Sequence, residues 1–141
     1  INWMLAQEFR MGLHTPTPYR EFERKAYLHR SDLKELIGSI CKNNQKVAGY
    51  GASTKGNVIL QFCKFSSTEL FGIAEINDDK FGKYTPGSKI PILSEKDIKG
   101  DKPDYMLVLP WHFKNFIIQK EKNYLNKGGK LIFPLPDIEI V

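Results

Sequence analysis

The sequence contains few of the residues that mark a disulfide-bonded, metal-binding or membrane protein. Its two cysteines, Cys41 and Cys63, fall at apolar positions of predicted helices, and neither has a partner at the spacing of metal ligands. Two isolated cysteines are typical of core packing in a reducing compartment, so we expect a cytoplasmic protein that binds no metal through this chain. No apolar run is long enough to span a membrane, and no segment resembles a signal peptide.

Basic residues are not concentrated as they are in most nucleic-acid-binding proteins. The formal net charge is only +5 over 141 residues. The lysines are spread along the chain, whereas all the arginines lie between residues 10 and 30. A nucleic-acid binder usually groups its basic residues into one patch with aromatic residues between them. We therefore expect a solvated, lysine-rich surface and no nucleic-acid partner.

The length of the chain and its hydrophobic content of 41% allow one sizeable core. Residues 1–43 have apolar positions at three- and four-residue steps, which predicts two helices, the second with Thr17 as its N-cap and Pro18 in its first turn. About 25 residues of helix would be roughly 37 Å long, more than a domain of this size needs. Because the sequence begins at Ile1, inside a helical pattern, we interpret it as a piece of a longer protein.

One segment, residues 46–57, has the pattern of a strand, a glycine-rich turn and the start of a helix. An apolar run leads to Gly49 and Gly51, and an amphipathic segment follows. Such a turn directs backbone N–H groups and the positive end of a helix dipole toward one point, which favours binding of a phosphate or another anion. The glycine spacing differs from the strict dinucleotide pattern, and Lys55 precedes Gly56, unlike the order in a Walker A loop. A ligand site and a merely tight turn both remain open.

Strands and helices alternate after residue 45. Further strands are predicted over residues 70–76, 90–92, 104–109 and 130–133, and helices over residues 58–65, 94–98 and 114–126. Strands joined through helices form parallel sheets with right-handed crossovers. The predicted class is therefore α/β, with a Rossmann-like, open, mostly parallel sheet over residues 44–141 after the helical segment 1–43. The first strand is expected at its centre, between the second strand and the 104–109 strand.

Polar and aromatic side chains follow these strands, at the edge where open α/β sheets bind ligands. Asn77 closes the second strand, where a ribose would lie, although Asn also forms ordinary turns. Lys83 and Tyr84 lie in the next loop and suit a phosphate and a base, or a mobile solvated loop. Trp111 offers a stacking face and His112 a phosphate donor, but the same two residues would also fill space beside the next helix and cap it.

Four motifs occur in order along the chain. They are Gly49–Asn57, Gly82–Gly87 with Ile90–Ile92, Leu109–Phe113 and Gly128–Pro134. Together they resemble the C-terminal domain of sugar-nucleotide C-methyltransferases, over nearly the whole chain. These enzymes use S-adenosylmethionine to methylate a carbon of a deoxysugar attached to a nucleoside diphosphate.

The resemblance implies that this chain is one of three domains. In that family a zinc-binding N-terminal domain and a central domain, which binds S-adenosylmethionine and carries the catalytic residues, precede a Rossmann-like domain that helps to bind the nucleotide sugar. This chain would orient the substrate for deprotonation beside its keto group and methyl transfer, would bind no cofactor itself, and would be inactive alone. The implied substrate-binding residues are Gly49, Tyr50, Gly51, Ala52, Ser53, Thr54, Lys55, Gly56, Asn57, Asn77, Lys83, Tyr84, Pro110, Trp111 and His112.

Two other functions are compatible with the sequence. A stand-alone NAD(P)- or nucleotide-binding regulatory module would use Glu75 or Asp78 near the ribose. A structural interaction domain with an empty cleft would account for the long second helix.

Overall fold

A six-stranded, mostly parallel sheet organises the computed structural model, which describes all residues from Ile1 to Val141. The helices are α1 (Asn2–Arg10), α2 (Thr17–Lys42), α3 (Thr54–Phe62), α4 (Glu95–Gly100), α5 (Lys114–Lys120) and α6 (Lys122–Asn126). The strands are β1 (Val47–Tyr50), β2 (Ile73–Glu75), β3 (Ile92–Ser94), β4 (Tyr105–Val108), β5 (Lys130–Phe133) and β6 (Glu139–Ile140). The class is therefore α/β, as predicted.

The strand order is β3-β2-β1-β4-β5-β6, and only β6 is antiparallel to its neighbour. The predicted central position of β1 is confirmed, since β1 pairs with β2 on one side and with β4 on the other. After β1 the chain builds β2 and β3 on one side, and it then crosses to β4 on the other. In open α/β sheets a crevice forms at such a reversal of strand order, beside the carboxyl ends of the strands.

Helices cover both faces of the sheet. One face packs against Leu33, Ile37 and Ile40 of α2 and against α3. The other face packs against α4 through Ile98 and α5 through Ile117. Burial of a side chain of this size stabilises the fold by about 1.5–3 kcal/mol, so these contacts fix the helices on the sheet.

The N-terminal part of the chain contributes little to this core. No residue of α1 is buried, and the buried positions of α2 begin at Leu33. Residues 17–26 of α2 therefore add no buried side chain to the core, whereas Tyr27 and Arg30 contact Phe62 of α3. None of the helices combines the length and the low polarity that a membrane span requires.

Two helices begin at residues that differ from the predicted ones. The third helix begins at Thr54 and not at residue 58, because the Ser53 hydroxyl accepts the N–H of Gly56 at 3.0 Å and caps the helix inside the glycine-rich turn. Thr17 is the first residue of α2 and not its N-cap, and the preceding Pro16 provides no side-chain cap.

Two further boundaries of strands and helices also differ from the prediction. The third strand begins at Ile92 and not at residue 90, since Pro91 has no N–H and the Ile90 N–H donates to Thr85 Oγ1 at 2.9 Å. The predicted helix over residues 114–126 is interrupted at Glu121, between α5 and α6. The side chain of Glu121 is buried and accepts a hydrogen bond from the Tyr50 hydroxyl at 2.9 Å.

Candidate functional site

A crevice of about 600 Å³ lies at the carboxyl ends of β1, β2 and β4. This volume is in the range of small-molecule sites. Its lining is largely apolar and includes two pairs of opposite charges, Glu75 with Lys80 and Glu95 with Lys120. A second cavity of about 510 Å³ lies over residues 99–104 and 120–129, away from these strand ends, and Tyr124 is the one hydrophobic residue in its lining. The crevice is therefore the better candidate for a ligand with a ring system.

Two glycines allow the glycine-rich turn to approach the segment that follows β4. Gly51 has φ +79°, and a Cβ on it would lie 2.9 Å from the ring of Pro110. A Cβ on Gly56 would lie 2.5 Å from Cβ of Leu109. Both contacts are closer than a side chain tolerates, so packing alone requires glycine at these positions.

The buried carboxylate of Glu75, the last residue of β2, holds the glycine-rich turn in place through hydrogen bonds. Its Oε2 accepts the N–H of Ala52 at 3.1 Å and the ammonium of Lys80 at 3.0 Å. The same ammonium donates to the carbonyl of Ala52 at 2.9 Å. Its Oε1 accepts the N–H groups of Ile76 at 2.8 Å and Asn77 at 3.1 Å. Four donors thus converge on one side chain that is only 7% exposed.

These hydrogen bonds keep Glu75 ionised. Burial by itself would raise the pKa of the carboxyl, but the bonds from the Asn77 amide, from Lys80 and from the Ile76 amide outweigh it, and the pKa lies below its usual value. The Ala52 N–H already donates its hydrogen bond to this carboxylate, so an anion that approached it would meet a negative charge.

Of the first three amides of α3, only that of Gly56 has a protein acceptor, so those of Thr54 and Lys55 remain for a ligand.

A second polar network supports the opposite wall of the crevice. Lys99 donates to Glu121 at 3.0 Å and to Glu95 at 3.3 Å, and Glu95 also pairs with Lys120. The Lys120 ammonium lies 5.3 Å from the centre of the Tyr50 ring. Burial, followed by the hydrogen bond to Glu121, raises the pKa of the Tyr50 hydroxyl, which therefore stays protonated.

Exposed aromatic side chains form one rim of the crevice. Phe113 is 56% exposed and Phe116 is 68% exposed, and both lie at or near the start of α5. Large apolar side chains are seldom left in solvent beside a cavity without a function, and a planar ring is well suited to stack on them. The crevice can thus bind a ligand with a flat apolar face and polar substituents.

Only some of the predicted binding residues line the crevice. Those that line the crevice are Tyr50, Gly51, Ala52, Ser53 and Pro110. Those outside its lining are Gly49, Thr54, Lys55, Gly56, Asn57, Asn77, Lys83, Tyr84, Trp111 and His112. Trp111 is partly buried against the core on both faces of the sheet, and His112 is exposed between Trp111 and Phe113. The Asn77 side chain accepts the N–H of Asp79 and forms a turn.

Sequence reasoning missed several residues that line the crevice. Phe113, Phe116 and Lys120 follow the end of β4 at three- and four-residue steps, and this spacing after a strand was a usable signal. Lys80 and Glu95 carry no such local signal, because their positions depend on partners in other elements.

Histidine and cysteine have packing roles in this chain. His29 on α2 forms a hydrogen bond with the carbonyl of Pro134, which ties α2 to the segment after β5. Cys63 is buried in the core, and Cys41 is partly buried against it. No three His, Cys, Asp or Glu side chains are grouped so that they could hold a metal ion.

The sheet and the crevice at its carboxyl edge define an α/β domain with a candidate site for a small molecule. Residues 1–136 match the family described as the C-methyltransferase C-terminal domain, and the chain belongs to this family. It is also similar to the C-methyltransferase NovU of Streptomyces niveus, with 37% identity over 138 residues. The matched region covers 98% of this chain and 33% of NovU, so the chain spans about a third of the length of this relative. The family resemblance predicted from the four motifs is confirmed.

Proposed function

We propose that this chain is the substrate-binding, Rossmann-like domain of an S-adenosylmethionine-dependent C-methyltransferase that acts on a nucleotide-linked deoxysugar. Its membership of the C-terminal domain family supports a role in methyl transfer. The observation that carries the assignment to substrate binding is the crevice at the carboxyl ends of the parallel strands, with exposed phenylalanines on its rim. The domain would orient the sugar for chemistry performed elsewhere in the protein.

In this proposal the base of the nucleotide stacks on Phe113 or Phe116. The diphosphate lies toward the start of α3, where the amides of Thr54 and Lys55 have no protein acceptor and the helix dipole favours an anion. Lys80 and Lys120 line the crevice and add positive charge, although each also pairs with a carboxylate. Binding energy from the remote nucleotide would position the reacting carbon of the sugar.

The crevice does not suit a cofactor whose ribose is held by an acidic residue at the end of the second strand. Glu75 occupies that position, but both of its oxygens already accept hydrogen bonds from three amides and Lys80. This disfavours NAD(P), and with it the regulatory module, and equally disfavours S-adenosylmethionine. We therefore assign S-adenosylmethionine and zinc to parts of the protein outside this chain.

Calorimetric titration of this chain with thymidine diphosphate, NAD and NADP tests the proposal. We expect thymidine diphosphate to bind more tightly than either dinucleotide. The substitution Phe116→Ala should weaken this binding about 5- to 150-fold, because a stacked ring contributes about 1–3 kcal/mol. Phe22→Ala is the matched control, since Phe22 is similarly exposed at 74% but lies far along the chain on α2. Preferential binding of NAD or NADP would contradict the proposal and favour the regulatory module.

We also predict that this chain alone transfers no methyl group. Mixing it with S-adenosylmethionine and a keto-sugar nucleotide should give no methylated product by mass spectrometry. Turnover in this assay would overturn the assignment of the chemistry to other parts of the protein.

A further inference from the structure

The first 30 residues carry an apolar surface that the rest of the chain leaves largely exposed. More than half of each of its large apolar side chains is exposed. We call these residues the N-terminal apolar surface: Trp3, Met4, Leu5, Phe9, Met11, Tyr19, Phe22 and Tyr27. Scattered apolar residues are ordinary on a protein surface, whereas an apolar patch marks an interaction site, and the groove that Tyr19, Phe22, Ala26 and Tyr27 line together with Phe62 of α3 is such a patch.

On α2 this surface continues the face that packs in the core. Leu33, Ile37 and Ile40 are buried against the sheet. Tyr19, Phe22 and Ala26 lie on the same side of the helix, at three- and four-residue steps toward its start. They line a groove of about 480 Å³. Because one helix face is apolar from end to end but only its second half is buried, the first half lacks a partner.

The start of α2 has no buried residue to support its helical structure. Residues 17–26 extend about 15 Å at 1.5 Å per residue. A helical segment of this length is only marginally stable in water without tertiary contacts. A partner that covers the apolar face would supply the missing stabilisation.

The charges beside this surface indicate what the partner presents. All the arginines of the chain, Arg10, Arg20, Arg24 and Arg30, lie in or beside it. None of them takes part in an ion pair of the chain, although lysines elsewhere form five. Arginine together with exposed aromatic residues is the composition of protein–protein interfaces. The partner should therefore combine apolar side chains with carboxylates.

We propose that the N-terminal apolar surface is the docking site for the methyl-transferring part of the same polypeptide. The matched region is only 33% of the relative NovU, and the family is that of a C-terminal domain, so in such a protein the rest of the polypeptide precedes this domain. A covalently linked part on the N-terminal side of the domain is held near α1 at a high effective concentration. This inference rests on the proposed function, because it needs the methyl-transferring part to belong to the same protein.

Hydrogen exchange measured on the full-length protein tests this proposal. We expect the amides of residues 17–26 to exchange at least tenfold more slowly than in a variant with Phe22→Asp. The matched control is Leu28→Asp, on the opposite face of α2 and 49% exposed, which should leave the exchange unchanged. Phe22→Ala, expected to give a smaller change in the same direction, guards against misfolding of the acidic variant.

Three results would overturn the docking proposal. The first is rapid exchange of residues 17–26 in the unsubstituted full-length protein. The second is an equal effect of Phe22→Asp and Leu28→Asp. The third is protection that is lost on dilution, which would identify a second copy of the chain as the occupant. Nucleotide affinity of the same variants, measured by calorimetry, reports on the crevice separately, so failure of the docking surface and failure of the proposed function are distinguishable.

Discussion

Replacing Glu75 with Gln tests whether this carboxylate holds the glycine-rich turn. Gln has almost the same shape, but one of its two acceptor oxygens becomes an NH2 donor. Each oxygen of Glu75 accepts two hydrogen bonds. Oε2 accepts from the Ala52 amide and Lys80, and Oε1 accepts from the Ile76 and Asn77 amides. Whichever way the Gln side chain turns, at least one backbone N–H therefore loses its acceptor.

The size of the effect follows from burial. Leaving a buried donor unsatisfied costs about 1–3 kcal/mol. The ion pair adds less than about 1 kcal/mol, because Lys80 is 41% exposed and its charge is screened by solvent. We expect Glu75→Gln to lower the free energy of unfolding by roughly 2–3 kcal/mol at pH 7, measured by urea unfolding followed by circular dichroism.

The pH dependence of this difference provides a second check. Because the folded-state pKa of Glu75 is lowered, its ionised form stabilises the protein above the unfolded-state pKa of about 4.3, and this stabilisation is lost as the pH falls through the folded-state pKa. The difference between the native protein and Glu75→Gln should therefore be largest near neutrality and shrink in acid. Glu139→Gln, at an exposed ion pair with Lys114, is the control and should cost less than about 1 kcal/mol.

The reasoning about Glu75 would be refuted by a change within about 0.5 kcal/mol at pH 7, the range of ordinary surface substitutions. It would also be refuted by a difference that stays constant as the pH is lowered.

Two further predictions concern the packing around the crevice. Gly56→Ala should destabilise the protein by about 1–3 kcal/mol, because the added Cβ would lie 2.5 Å from Cβ of Leu109. Gly38→Ala, in the middle of α2 with open space around it, should instead stabilise by about 0.5–1 kcal/mol; equal thermal unfolding temperatures for the two variants would contradict the packing argument. Tyr50→Phe removes the hydroxyl that donates to buried Glu121 and should cost about 1–2 kcal/mol in urea unfolding, and a loss below 0.5 kcal/mol would mean that this bond contributes little to stability.

Much of the fold could be predicted because its signals are local. Apolar runs bounded by turn residues located β1, β4 and β5, and the strand at residues 130–133 was predicted with its observed bounds. The alternation of strands and helices gave the central position of β1. The same local reasoning did not find the interruption at Glu121, because the partners of its side chain, Tyr50 and Lys99, lie 71 and 22 residues away.

The candidate site was only partly predictable for the same reason. Pro110 and the turn from Tyr50 to Ser53 carry signals in their own sequence, namely glycines after an apolar run and a strand end followed by proline. Their hydrogen-bond partners carry none. Nothing near Ala52 in the sequence indicates that its amide donates to a side chain 23 residues further on.

The sequence by itself determined the α/β class, the order of the central strands and the family, because propensity, periodicity and motif order are written along the chain. Only the tertiary structure decided which groups of the crevice are available to a ligand. Folding brings Glu75 and Lys80 to the glycine-rich turn and leaves Phe113 and Phe116 in solvent. It likewise decided that the apolar face of α2 is buried only from Leu33 onward. Burial and hydrogen-bond satisfaction depend on neighbours that are distant in sequence, and a linear pattern does not specify them.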